Sequence, residues 1–254
     1  MHALRLRDLA EHFGDATTRF YSEREEPFAA FHRGPCLHFH VETISRLRAL
    51  TGTEPAEYGE ICRDKLYVQL LYATLTAWGM NSLRGGPKLQ DFDAFYTALA
   101  DCAFTRVLDS LRACRIEEVA NIDSLRYKVL TAYQWLSEEQ AVGNRVMRTS
   151  RGLVSAAKVL HHLLPDLLMP VDNTYTIPLL ARLEESDLRP AKNRQDFEDY
   201  WKCIRVSHCL VRSAPRLRAE PSPDRPMDTS IPKIVDNAIV GMSVVFRDHS
   251  SRER

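Results

Sequence analysis

Arg148–Asp172 reads RTSRGLVSAAKVLHHLLPDLLMPVD, and its interpretation decides the fold. After Gly152 the run LVSAAKVLHHLL, residues 153–164, repeats apolar side chains at three- and four-residue steps, the spacing of one face of a helix. Pro165 and Pro170 bar that helix from continuing, so Val171-Asp172-Asn173-Thr174 emerges from a turn. An Asp followed by NTYTIPLLARL is a good helix N-cap. A single carboxylate delivered by a turn also suits a catalytic group, and the two roles are compatible.

Outward from this stretch, the chain reads mostly as helix. DKLYVQLLYATLTAW places Leu66, Leu70, Leu71, Thr74, Leu75 and Trp78 on one face before Gly79. The same periodicity runs through residues 91–114, 124–136 and 196–212, and KIVDNAIVGMSVVF (233–246) is apolar enough to pack back onto the body. Residues 81–91, with Gly-Gly-Pro, read as a loop, and so do residues 219–232, which carry four prolines. Only CLHFHVE (36–42) alternates as a short strand would.

With 254 residues the chain can form one large domain or two small lobes and bury roughly three-quarters of its unfolded surface. The six scattered cysteines and the charged start MHALRLRDLAEHFGD point to a reducing, cytoplasmic setting, and no apolar run is long enough to span a membrane. Acids and bases balance at 34 each, but the balance is uneven along the chain. Between Glu139 and Asp166 there is no acid, while Arg145, Arg148, Arg151 and Lys158 fall there. Asp199 to Glu220 repeats the pattern with Lys202, Arg205, Arg212, Arg216 and Arg218. Two basic stretches of this kind are either solvated helix faces or a phosphate footprint.

The order Gly152, Ser155-Ala156, Leu160, Asp172 resembles the helix-hairpin-helix (HhH-GPD) DNA glycosylase superfamily, in which a glycine-containing hairpin opens a helix and a following loop delivers a catalytic Val-Asp. Gly152 stands at the second hairpin glycine, Ser155-Ala156 at a Thr-Ala step, and Asp172 lies twelve positions beyond Leu160, as in the cluster-bearing branch. The resemblance spans about Leu66 to Leu183. It implies a mainly α, two-lobed fold with a cleft between lobes: a central bundle over 58–164 that includes the hairpin-like segment 148–160, and a second, mostly helical lobe from 1–57 plus 165–254. It also places Trp78 at the loop residue that wedges into the DNA stack. The departures carry meaning. Ser150 replaces the first hairpin glycine, so phosphate contact would shift from backbone amides toward Arg148 and Arg151, with Arg145, Gly152, Ser155 and Lys158 around them. Lys158 is expected to face solvent or phosphate. The position of the Schiff-base lysine is Val154, so no lyase nucleophile is expected there. A four-cysteine cluster signature is missing, since only Cys203 and Cys209 fall in that region.

The chemistry implied is hydrolysis of a base–deoxyribose bond, in which positive charge develops on the sugar and a carboxylate stabilises it and activates water. The base must leave the stack; Tyr175, Tyr200 and Trp201 are the expected stacking residues and Asn173 the expected hydrogen-bonding one. With the upstream spacing counted, catalysis is the preferred role of Asp172. The resemblance implies double-stranded DNA as partner, a monomer, and no cofactor. The altered hairpin and N-terminal extension suit an unusual target, such as the enlarged cytosines of some phages, which would place the protein in phage defence. A non-catalytic nucleic-acid binder on the same scaffold is the alternative. His161 and His162 point about 100 degrees apart on a helix, so one is expected in the core and the other outside. On a strand, Cys36, His38 and His40 would share a face, but a zinc site needs a fourth ligand, and no metal is expected.

Overall fold

A computed structural model of the chain describes residues 5–22, 35–52, 56–81, 88–138, 145–148, 152–183, 196–214 and 219–252. Among these the protein is mainly α, with no strand and only two isolated bridges, one of which ties Leu89 to Met147. The helices are α1 (Leu6–Glu11), α2 (Phe13–Phe20), α3 (Pro35–Leu50), α4 (Tyr58–Ile61), α5 (Lys65–Ala77), α6 (Phe92–Leu99), α7 (Cys102–Asp109), α8 (Arg126–Ser137), α9 (Leu153–Leu163), α10 (Thr176–Leu180), α11 (Asp196–Ser213) and α12 (Ile231–Arg252). None of them is long and apolar enough to cross a membrane.

The helix starts follow from side-chain chemistry. Asp64, Asp91 and Asp101 cap α5, α6 and α7 by accepting from the amides of Tyr67 (2.7 Å), Ala94 (2.9 Å) and Ala103 (2.7 Å). At the other end of α5, Gly79 takes φ +92°. Its amide bonds to the Thr76 carbonyl, and that of Met80 bonds to Leu75. This double bond pattern closes the helix at Trp78 and fixes the direction in which the indole leaves it. The loop expected over 219–232 ends two residues sooner, with α12 starting at Ile231 and burying Val235, Ala238, Ile239 and Met242.

The strand expected at Cys36–Glu42 is instead the first half of α3. The residues that α3 buries are His40, Thr43, Ile44 and Leu47, a helical spacing carried partly by polar side chains. Two polar contacts cross from α3 to α5: Thr43 Oγ1 lies 2.8 Å from Thr74 Oγ1, and Cys36 Sγ donates to the Ala77 carbonyl at 3.0 Å. On a helix Cys36, His38 and His40 do not share a face, and no cluster of metal-ligating side chains occurs among the described residues.

Helix α3 lies along α5, with α9 packed against both, α8 and α11; α1 and α2 close against α11 and α12. One apolar core runs through nearly all of these elements. The tightest crossing is α2 on α12, where a Cβ built on Gly241 would sit 2.1 Å from the Ala16 carbonyl oxygen. Gly241→Ala must therefore push two backbones apart. We expect it to destabilise the protein by roughly 1–3 kcal/mol, the usual range for overpacking, read as a lower midpoint in urea unfolding; an unchanged midpoint would mean that the crossing is looser than described.

Candidate active site

Four elements that are distant in sequence meet at the end of α5. Trp78 leaves its C-terminus, Lys158 rises from the middle of α9, the Pro170–Tyr175 turn passes beneath, and α12 supplies Lys233, Asp236 and Val240. They enclose a cavity of about 350 Å³, with Phe20, Cys36 and Met227 completing an apolar wall. Such a volume lies within the range of small-molecule sites.

Asp172 is half-buried at this cavity and is held firmly. One carboxylate oxygen accepts from the amides of Thr174 and Tyr175, both at 2.6 Å, and the other accepts from the Thr176 hydroxyl at 3.1 Å. It thus caps the turn leading into α10 while remaining a cavity-lining anion. The Thr176 hydroxyl also lies 3.5 Å from Asp236, whose second oxygen pairs with Lys233 Nζ at 2.6 Å. A hydroxyl has one proton to donate, so Asp172 and Asp236 compete for it. Burial raises the Asp236 carboxyl above its ordinary value and the charge of Asp172 adds to this, while Lys233 pulls the other way.

Behind the cavity lies a dry histidine cluster. His161 and His162 are both fully buried, so neither faces solvent. α9 is covered on more than one side, and polar partners inside take up both rings. His162 Nδ1 is 2.7 Å from the Lys158 carbonyl, which can only accept, so Nδ1 carries the proton. Its Nε2 then accepts from His40 Nδ1 (3.0 Å), and His40 Nε2 accepts from the Thr229 hydroxyl (2.9 Å). Neutral rings fit this directed chain. Burial drives all three histidines below their ordinary value, His162 to about 4. His40 stacks on Trp78 with ring centroids 5.5 Å apart, and His162 lies 5.0 Å from the same ring. Lys158 Nζ sits 4.9 Å and Lys233 Nζ 5.9 Å from the Trp78 ring centroid, within cation–π range.

Of the residues singled out from the sequence, Asp172, Trp78, Tyr175 and Lys158 come together here. Trp78 is half-buried, packs against His40 and His162 and lies near two ammonium groups, and it forms a wall of the cavity. Lys158 points into the cavity instead of outward, because α9 turns that face toward Trp78 and α12. Asn173 is exposed and does not line the cavity. Tyr200 and Trp201 belong elsewhere: α11 carries both into the core, where Tyr200 stacks on Tyr133 and Trp201 Nε1 donates to Asp123 at 3.1 Å.

The expected phosphate group is dispersed. Arg145 lies over Trp135, its Cζ 3.7 Å from the ring centroid, and pairs with Glu138 at 2.5 Å. Arg148 is exposed, with its amide bonded to the Lys88 carbonyl at 2.7 Å. Gly152 stands at the N-cap of α9, and the buried Ser155 hydroxyl donates back to its carbonyl at 2.8 Å. Arg151 lies outside the described residues.

Lys233, Asp236, Phe20 and Met227 were not singled out from the sequence. A signal existed for two of them: in KIVD, Lys233 and Asp236 stand three apart inside an otherwise apolar helix, the spacing of a paired charge turned inward. In comparisons with known proteins, the chain matches no family model, no curated protein and no solved structure.

Proposed function

We propose that the protein is a monofunctional DNA glycosylase that hydrolyses the N-glycosidic bond of a damaged or modified base and leaves an abasic site. One observation carries this reading: a firmly held carboxylate, Asp172, borders an aromatic-walled cavity at the position where the Gly152-to-Asp172 spacing calls for the catalytic acid. Cleavage of the bond places positive charge on the sugar, and an adjacent anion in a poorly hydrated site stabilises it and orients the attacking water. The two amides that bind one oxygen of Asp172 keep the group oriented, and the second oxygen accepts only from the Thr176 hydroxyl among the described residues. Trp78 and Tyr175 offer flat faces to an extruded base.

In this reading the helices form a two-lobed HhH-GPD-like arrangement with double-stranded DNA in the cleft, and the chemistry needs no cofactor. Enlarged cytosines of phage DNA are the proposed substrate, and phage defence the proposed setting. Val154 stands where a Schiff-base lysine would be, which favours hydrolysis without strand cleavage. We therefore expect treated substrate DNA to gain aldehyde-reactive abasic sites while its strands stay intact until heated in alkali. Strand breaks appearing at the same rate as the abasic sites, without alkali, would overturn the monofunctional assignment.

A further inference from the structure

Breaking a glycosidic bond creates charge of both signs, and Asp172 answers only the positive one. An uncharged base takes the bonding electron pair and departs as an anion unless a proton reaches it. Lys158 is placed to supply that proton. Its ammonium lines the same cavity as Asp172 and lies over the face of Trp78. The two cavity lysines differ: Lys233 is paired with Asp236 at 2.6 Å, whereas Lys158 forms no ion pair within 4.0 Å among the described residues. An amine without a carboxylate partner, beside an aromatic wall and a catalytic carboxylate, has its N–H bonds available to a ligand.

We propose that Lys158 is the general acid that protonates the leaving base, a role that rests on the glycosylase reading above. The C1′–N bond breaks with its electron pair going to the base, and one proton moves from Lys158 Nζ to that base. Water oxygen bonds to C1′ and gives a proton to Asp172. The lysine amine and the aspartic acid then exchange protons with solvent, which restores both groups and leaves free base and abasic sugar. The environment favours this use. Burial lowers the proton affinity of Lys158 from its ordinary value, and Lys233 on α12 acts in the same sense. Asp172 on the turn, Asp236 on α12 and, more weakly, Cys36 on α3 oppose it. A donor whose affinity is brought toward neutral pH transfers its proton more readily.

The test is single-turnover base release by wild-type, Lys158→Met, Lys158→Arg and Asp172→Asn protein, with circular dichroism to verify folding. The DNAs are dimethyl-sulfate-methylated duplex, uracil-containing duplex and phage DNA with enlarged cytosines. On the uracil or phage DNA, whichever yields a base with the wild type, Lys158→Met should slow release about 100-fold or more, as loss of a positioned acid does; the methylated purines are already cationic and leave as neutral bases, so their release should change little. DNA affinity should change by less than about threefold. The wild-type rate should fall at alkaline pH as Lys158 loses its proton, and this limb should vanish in Lys158→Met. Lys158→Arg, which keeps the charge but gives up no proton, should be as slow as Lys158→Met. Release from the uracil or phage DNA within threefold of wild type in either variant, or release by the wild type from the methylated duplex alone, overturns the role of Lys158 while leaving the glycosylase reading intact; Lys158→Gln provides the same comparison should Lys158→Met fail to fold. Borohydride trapping of a Lys158–DNA adduct would make the amine a nucleophile and also overturn the role. No base released by the wild type from any of the three DNAs would remove the glycosylase reading and this one with it.

Discussion

Asp172→Asn protein should fold as the wild type does and release base about 10³-fold more slowly. The two halves of this expectation have separate causes. The Asp172 oxygen that accepts from the Thr174 and Tyr175 amides does structural work, and Asn preserves it, since an amide oxygen caps a turn almost as well as a carboxylate. What Asn lacks is negative charge and basicity, the properties that stabilise the developing sugar cation and take the proton of water. Asp172→Ala removes both contributions. It should lose activity to a similar extent and also about 1 kcal/mol of stability, the usual cost of a lost cap. Urea unfolding of the two variants beside their single-turnover rates separates the capping role from the catalytic one. Asn and Ala variants that were equally destabilised would show that the cap depends on charge.

Stability should fall steeply between pH 6.5 and 4, and the cause is the histidine cluster behind Trp78. His162 is held neutral down to about 4 in the folded protein, whereas an unfolded histidine takes up its proton near 6.5. A depressed value means that the unfolded chain binds the proton first. The stabilisation is therefore complete above about 6.5 and is lost as pH falls through the window toward 4. For His162 alone this is on the order of 3 kcal/mol, and His40 and His161 are shifted in the same direction. Asp236 and Glu117, both raised by burial, work in the opposite sense against the three histidines. Urea unfolding at pH 7 and at pH 4.5 should show the loss, and His162→Gln should lose less over the same interval. A stability that stays flat from pH 7 to 4.5 would mean that the cluster is hydrated or takes up protons without cost.

The helices were legible where apolar residues carry the period, as in α5 and α9, and α3 was not. The buried positions of α3 include His40 and Thr43, which do not register as apolar, while CLHFHVE alternates well enough to suggest a strand. Pairing of Thr43 with Thr74 and of Cys36 with the Ala77 carbonyl makes that polar seam stable, and both partners lie on another helix. The site divides in the same way. Asp172, with Lys158 and Tyr175 beside it, could be named because the local order of glycine, helix, proline turn and acid is written in the chain, whereas Trp78, far upstream, was named through the family resemblance alone. The direction of Lys158 could not be read, because it depends on which neighbours cover α9. Lys233 and Asp236 were hidden for the same reason: α12 joins the site from more than 50 positions away, and only the fold brings its paired charges to Asp172. Tyr200 and Trp201 show the converse error, since aromatic residues on an amphipathic helix fill the core more often than they line a cleft.

The central claim, that a cavity bordered by Asp172 hydrolyses base–sugar bonds in DNA, is tested most directly by mass spectrometry of the free bases released from alkylated, uracil-containing and hypermodified phage DNA. One released base is expected with the wild type and none with Asp172→Asn over the same time. Folded wild-type protein that binds these DNAs in a salt-dependent way yet releases nothing, or Asp172→Asn protein that releases base at the wild-type rate, would contradict it.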